Sequence, residues 1–168
     1  MLTFMNMNVV GFCSIENLHI SLNPSCTILI KAPNGKGKSS ILSALVWAIY
    51  GKNLKGVSEV TTWEKVRPKD YSGVMVEVYF QKNEHIYKII RCQKCDLVLE
   101  DGAKGKDRLI FLKDNELVNV KGKNKLQDTI NAELGLSYTL FMNSIMFGQG
   151  IKLSLIHISE PTRHLRIS

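Results

Sequence analysis

The stretch that decides the fold is Ala32-Pro33-Asn34-Gly35-Lys36-Gly37-Lys38-Ser39. Glycines at positions 35 and 37 let the chain turn so that successive backbone N–H groups point at the oxygens of one phosphate. The apolar run ILIK precedes this turn, and a helical pattern follows it, so a helix N-terminus adds partial positive charge. A glycine- and lysine-rich turn without a ligand is the weaker explanation in this setting. The stretch therefore predicts a phosphate-binding loop.

Each residue of the loop has an expected role. Lys38 should reach the β and γ phosphates of a nucleotide, and the hydroxyl of Ser39 should complete the coordination of Mg²⁺. Ala32 replaces the first glycine of the motif, which predicts a negative φ there. The predicted cofactor-binding residues are Asn34, Gly35, Lys36, Gly37, Lys38, Ser39 and Ser40.

Hydrophobic periodicity places this loop in an α/β fold. A β-rich opening precedes a buried helix, an antiparallel β lobe is inserted from Val74 to Val120, and two helices follow. The lobe is expected to contain two hairpins separated by a loop, DGAKGKD. The predicted strands are Leu2 to Val10, Leu18 to Leu22, Thr27 to Ile30, Val74 to Phe80 and His85 to Cys92, with a hairpin around Lys113 to Asn115; the helices are Ser39 to Tyr50, Leu126 to Leu134, and Ser137 to about Phe147.

Composition predicts one folded domain in a cytoplasmic protein. The chain has 168 residues, a hydrophobic fraction of 45%, four cysteines and a formal net charge of +7. A bilayer span needs about 20 apolar residues, and the longest apolar run here is much shorter. The start of the chain lacks the features of a signal peptide. The expectation is a cytoplasmic protein with reduced thiols, no membrane partner and an affinity for polyanions.

Residues 153–168 are expected to be non-native. The segment Leu153 to Arg163, LSLIHISEPTR, continues neither periodicity and resembles a translated sequencing adapter. We therefore divide the chain into a domain of residues 1–152 and a tail of residues 153–168 that should not dock on it.

A group of basic side chains lies in and beside the β lobe, where a phosphate backbone could cross it. Ordinary solvation explains such a group about equally well, because no aromatic side chains for base stacking are interleaved with it. Its members are Lys104, Lys106, Arg108, Lys121, Lys123 and Lys125.

The phosphate loop carries a family resemblance. Pro33-Asn34-Gly35-x-Gly37-Lys38-Ser39-Ser40-Ile41-Leu42, followed by Ala44 and Tyr50-Gly51, resembles the opening of SbcC and SMC-type ATPases, a branch of the ABC superfamily. The resemblance extends over residues 1–152. Phe12 and Ser14 resemble a strand-to-strand turn of that family, with Cys13 at the position of its usual basic residue. Phe147-Gly148-Gln149-Gly150 resembles the family's Q-loop.

The resemblance implies an ATP-binding P-loop head, of which this chain is the N-terminal half. It implies Lys38 and Gln149 as catalytic residues, and Ser39 and Gln149 as Mg²⁺ ligands. The implied partners are a C-terminal half joined through a coiled coil, an SbcD-type nuclease, double-stranded DNA and a second head in a head-to-head homodimer. The acidic, signature and switch residues would lie in that other half, so the chain alone should bind ATP and hydrolyse almost none.

Other functions stay open at this point. A DNA-clamping SMC head looks nearly the same over this length, whereas a transporter ATPase has a shorter interval between the phosphate loop and the Q-loop. A small-molecule kinase of the P-loop type would need an arginine-rich lid, which the sequence does not show.

Three further patterns imitate functional motifs. Cys92 and Cys95 have zinc-ligand spacing without a second pair, Leu97 to Asp101 imitates a Walker B strand, and Leu134 to Ser137 imitates a signature motif. A structural role is the better interpretation of all three.

Overall fold

The computed structural model describes residues 1–22, 29–31, 33, 37–61 and 69–144. They form eight strands and three helices in this part of the chain. In chain order the elements are β1 Leu2–Phe12, β2 Ile15–Ser21, α1 Lys38–Tyr50, β3 Val74–Lys82, β4 His85–Gln93, β5 Cys95–Val98, β6 Lys104–Lys106, β7 Leu109–Lys113, β8 Glu116–Leu117, α2 Lys123–Leu134 and α3 Tyr138–Ser144.

The main sheet has six strands in the order β2-β1-β3-β4-β7-β8, and each neighbouring pair is antiparallel. The alternation in β3 sorts its side chains as the sequence predicts, with Val74, Val76, Val78 and Phe80 fully buried. Helix α1 packs against β1, β3 and β4 on that apolar face. The α/β fold with an antiparallel lobe is confirmed.

Helix α2 buries one stripe. Leu126, Ile130 and Leu134, spaced at i, i+4 and i+8, are each at most 8% exposed. The helix ends at Gly135, and Ser137 then caps α3 by accepting a hydrogen bond from the backbone N–H of Leu140 at 3.2 Å. Both predicted helices are confirmed as far as Ser144; the predicted extension towards Phe147 lies outside the described residues.

The strand predicted at Thr27 to Ile30 is wrong where it can be examined. Leu29 and Ile30 are in no strand, and Leu29 is 73% exposed. A strand exists only when its backbone pairs with another, and no pairing partner for these two residues occurs in the described ranges. Thr27 lies outside those ranges.

The loop predicted at DGAKGKD is also wrong, because β6 forms inside it and pairs with β5 as a second, two-stranded sheet. Gly105 is the reason. A Cβ on this residue would lie 2.9 Å from Sγ of Cys92 and 3.0 Å from Sγ of Cys95, so only glycine lets β6 approach the two buried thiols this closely. The packing of β6 against Cys92 and Cys95 therefore outweighs the tendency of this glycine-rich stretch to form a loop.

Two strand boundaries also differ from the expectation. Strand β2 begins at Ile15, three residues earlier than predicted, because its pairing with β1 runs up to the turn at Cys13 and Ser14. The second strand of the hairpin predicted around Lys113 to Asn115 is β8, which has only two residues, Glu116 and Leu117. No helix in the described ranges is long and apolar enough to cross a membrane.

Candidate phosphate-binding site

Helix α1 begins as the phosphate loop requires. Its N-cap is Gly37, with φ +82° in the left-handed region that favours glycine. The backbone N–H groups of Ser40 and Ile41 donate to the carbonyl of Gly37 at 2.9 and 3.2 Å, which closes the first turn. No acidic side chain lies in this turn, so the positive end of the helix dipole is not neutralised locally. This end of α1 suits an anion.

The loop residues that the structure describes, from Gly37 to Ser40, lie at the amino end of α1. The Lys38 ammonium donates to the carbonyl oxygen of Pro33 at 2.9 Å, which places the cation across its own loop. Ser39 is exposed, while Gly37, Lys38 and Ser40 are half-buried. A charged donor therefore lies beside the helix N-terminus, and this combination suits a phosphate.

Several predicted site residues lie outside the described ranges. These are Ala32, Asn34, Gly35, Lys36 and Gln149, together with the whole segment from residue 153 onwards. Their roles stay predictions.

The turn between β1 and β2 lies against the loop. A Cβ on Gly37 would approach Oγ of Ser14 to 2.8 Å, so the turn and the loop are in contact. Cys13 has φ +53° and is half-buried, and its thiol lies 3.8 Å from the carbonyl of Val60. Burial raises the pKa of this thiol, although the charge of Lys55 opposes the shift. Cys13 is therefore a neutral thiol beside the loop.

The other end of α1 is held by two residues that the sequence analysis missed. The guanidinium of Arg91 donates from Nε to the carbonyl of Ala48 at 2.9 Å and from Nη2 to that of Ile49 at 3.2 Å. Gln127 donates to the same Ile49 carbonyl at 2.9 Å and accepts a bond from Arg91 Nη2 at 2.5 Å. The available signal was an arginine inside the apolar run KIIRC, since a charged residue in a buried strand requires partners.

Arg91 is 6% exposed, and its guanidinium also lies over the ring of Trp47, 5.9 Å from the centroid. Among the described residues no carboxylate pairs with it. Burial lowers the pKa of Arg91 to about 10, which still leaves it charged at neutral pH. Its positive charge faces the negative end of the α1 dipole.

The basic side chains in and beside the β lobe fall into two sets, one bonded to neighbouring residues and one exposed without such bonds to any described residue. Lys104 pairs with Asp96 at 3.2 Å and Arg108 pairs with Asp101, which holds the pKa of Asp101 at about 2 through hydrogen bonds from Arg108 and from a backbone amide. Lys123 donates to the backbone carbonyl of Asp107 at 2.7 Å. The exposed lysines Lys106, Lys121 and Lys125 have no such bond among the described residues.

The three stretches that imitate functional motifs lie in a small core, at the end of a strand and at the end of a helix. Cys92 and Cys95 belong to a small second core with Ile90 and Leu99, where burial raises the pKa of Cys92 to about 12. Strand β5 ends at Val98, inside the stretch that imitates Walker B. The stretch from Leu134 to Ser137 consists of the last residue of α2 and the turn that leads to α3. His19 and His85 are exposed strand residues.

Comparison with known proteins defines the class. The sequence model of a family described as AAA domain, AAA_23, matches residues 6–165. The chain belongs to this family, which confirms the nucleotide-binding class that the loop and α1 indicate. Membership in an ATPase family implies nucleotide and Mg²⁺ as ligands in general.

Curated relatives narrow the class. The chain is 29% identical over 140 residues to the DNA double-strand break repair Rad50 ATPase of Methanocaldococcus jannaschii, covering 83% of this chain and 12% of that protein. It is 28% identical over 160 residues to exonuclease subunit 2 of Enterobacteria phage T4, and 24% over 162 residues to the subunit of the same name in Escherichia phage RB69. Each phage match covers 95% of this chain and 26% of the relative. The resemblance to SbcC and SMC-type ATPase heads is confirmed, and the chain spans a small part of these relatives.

Solved structures were compared as well. A structure titled for ATP-driven dimerisation and DNA-stimulated activation of SMC ATPases aligns with a TM-score of 0.49 at 16% identity, covering 80% of this chain and 81% of that one. The recombination mediator RecF with ATP aligns with a TM-score of 0.48 at 18% identity, covering 73% of this chain and 30% of that one.

Proposed function

We propose that this chain is the ATP-binding N-terminal segment of an SbcC-like ATPase that works with a nuclease on DNA double-strand breaks. The observation that carries the proposal is the amino end of α1, where Gly37 begins the helix and Lys38 lies over Pro33. In this proposal Lys38 and the loop backbone from Asn34 to Ser40 bind the phosphates. Ser39 and Gln149 hold Mg²⁺, and Gln149 also orients the attacking water.

The names of the relatives support the nuclease branch over the DNA-clamping branch. Two are exonuclease subunits of phages, and one is a double-strand break repair ATPase. The remaining parts of the proposal are the C-terminal half of the ATPase, an SbcD-type nuclease, double-stranded DNA and a head-to-head homodimer.

The direct test is a titration with Mg-ATP. Lys38→Ala removes a charge-assisted contact worth roughly 1.5 to 3 kcal/mol, so affinity should fall roughly 10- to 100-fold. Lys52→Ala is the matched control, because Lys52 is an exposed lysine just beyond the opposite end of α1. Equal affinity in wild type and Lys38→Ala would remove the proposed phosphate site.

Turnover is tested separately. The chain alone should show almost no hydrolysis, because no acidic side chain in the proposed site is assigned to orient water. Mixing it with the matching C-terminal half of the parent ATPase should restore turnover. Vigorous hydrolysis by the chain alone would indicate a self-contained P-loop enzyme instead.

Duplex DNA is the proposed polyanion. Replacing Lys121, Lys123 and Lys125 together with alanine should weaken salt-sensitive, sequence-independent duplex binding. A control triple variant at Lys52, Lys55 and Lys69, which are exposed lysines outside the group, removes the same charge elsewhere. If both triple variants lose affinity equally, net charge explains the binding and the proposed footprint is wrong.

A further inference from the structure

We propose that Arg91 and Gln127 are positioning residues of the phosphate site: they hold the carboxyl end of α1 and thereby set where its amino end meets a phosphate. This inference rests on the proposed function of that amino end. It concerns two residues from β4 and α2 that do not belong to the phosphate loop.

Unequal burial along α1 is the first observation. The residues Ala44–Tyr50 are each at most 8% exposed, whereas the side chains from Lys38 to Ser43 are half-buried or exposed. The phosphate end of the helix therefore projects from the core. Its position follows from how the buried end is fixed.

The length of the helix magnifies small errors at that buried end. Helix α1 has 13 residues, so twelve steps of about 1.5 Å separate its first residue from its last, a distance of about 18 Å. A tilt of about 5° at the carboxyl end would move the amino end by about 1.5 Å. Binding groups work within about 0.5 Å of their required positions, so even a small tilt matters.

Arg91 and Gln127 supply the directional contacts that oppose such a movement. Apolar burial is not directional, whereas hydrogen bonds constrain both distance and angle. Here the carbonyls of Ala48 and Ile49 are bonded by two side chains that are also bonded to each other. One closed set of contacts thus connects α1, β4 and α2.

The choice of arginine supports a geometric role. Burying a charge without a carboxylate partner costs free energy, and an apolar side chain of similar volume would fill the space at lower cost. Only the guanidinium presents several donors in a fixed plane. Lysine would keep the charge facing the α1 dipole but lose this planar arrangement.

The experiment compares three variants of the full chain by Mg-ATP titration, at a temperature where circular dichroism shows each to be folded. Gln127→Leu removes the bonds of Gln127 to Ile49 and Arg91, together with its bond to Asn131 within α2. Arg91→Lys keeps the charge alone. Tyr87→Phe is the control, because Tyr87 Oη bonds Glu133 at 2.9 Å between the same two elements, β4 and α2, without bonding α1. We expect Gln127→Leu and Arg91→Lys to bind Mg-ATP about 3- to 30-fold more weakly, and Tyr87→Phe to bind as wild type does.

Hydrogen exchange of the α1 amides gives a second readout that needs no nucleotide. Gln127→Leu should speed exchange in the first turns of α1, around Ser40 to Leu42, and Tyr87→Phe should not. The inference is overturned if both Arg91→Lys and Gln127→Leu bind nucleotide normally, or if faster exchange stays confined to α2. Failure of wild type to bind Mg-ATP would instead refute the proposed function, and the exchange data would still decide whether these residues hold α1.

Discussion

The two ends of α1 are built in opposite ways. At the carboxyl end, the carbonyls of Trp47, Ala48 and Ile49 all accept bonds, from Gly51, Arg91 and Gln127. At the amino end the cap is a glycine without a side chain, and the nearby cation lies over the loop. A helix leaves unsatisfied groups at both termini. This protein satisfies one terminus with its own side chains, and the proposed function assigns the other terminus to a phosphate.

The comparison predicts a large difference in the stabilising role of the two ends. Trp47→Ala should lower the free energy of unfolding by about 3 to 5 kcal/mol, because this 2% exposed ring packs on Phe12 and donates to Ser58. Leu42→Ala, at a position 37% exposed near the amino end, should lower the free energy of unfolding by about 1 kcal/mol or less. Urea denaturation measures both, and similar costs would show that the helix is anchored evenly.

Alkaline pH should lower the stability that Tyr50 contributes at the carboxyl end of α1. Burial raises the pKa of Tyr50 to about 12, above the ordinary value near 10, so the unfolded chain loses this proton first as pH rises. The contribution of Tyr50 to stability is therefore complete well below pH 10 and is lost between about pH 10 and 12, by roughly 2 to 3 kcal/mol in total. The buried thiol of Cys92 acts in the same direction, so the measurement is the difference between wild type and Tyr50→Phe up to pH 11.

In that comparison Tyr50→Phe also loses the bond to the carbonyl of Leu136, which lowers stability by about 1 kcal/mol at every pH. Its loss of stability above pH 10 should be smaller than that of wild type. Identical slopes would mean that Tyr50 does not contribute to the alkaline transition.

Glycine is required at both ends, with different consequences. Gly37→Ala and Gly51→Ala each force a side chain into the left-handed region, at φ +82° and φ +73°, at a cost of about 1 to 2 kcal/mol. Gly51→Ala also places a Cβ 3.0 Å from Arg91 Nη1, whereas Gly37→Ala crowds Ser14 beside the loop. We expect a larger loss of Mg-ATP affinity from Gly37→Ala, measured by titration. The reverse order would place the sensitive end of the helix at Gly51.

The smallest expected change in stability comes from Ser39→Ala. Ser39 is exposed at the amino end of α1, so the free energy of unfolding should change by no more than about 0.5 kcal/mol. Mg-ATP affinity should fall roughly 2- to 10-fold, while ATP binding without Mg²⁺ should not change. A loss that is equal with and without Mg²⁺ would argue against a metal ligand at this position.

Local patterns in the sequence were sufficient for α1 and the β3–β4 hairpin, and the same kind of pattern predicts the phosphate loop. Glycine spacing around Lys38 and the alternation from Val74 to Phe80 act over a few residues, so they survive without knowledge of distant contacts. The membership in an ATPase family agrees with that interpretation. The loop predicted at residues 101–107 failed for the opposite reason, because β6 depends on thiols that lie at least ten residues away.

The sequence alone was enough to predict a buried helix beside an antiparallel lobe, with a phosphate-binding loop before that helix, since the residues concerned are neighbours along the chain. How that helix is held follows from contacts between residues that are far apart in the sequence. Arg91 and Gln127 are separated from Ile49 by 42 and 78 positions, and no local periodicity relates an arginine in a strand to carbonyls at a helix end. Such a pairing follows from the register of β4 and the packing of α2, which bring distant polar groups to the few backbone acceptors that the helix leaves unsatisfied.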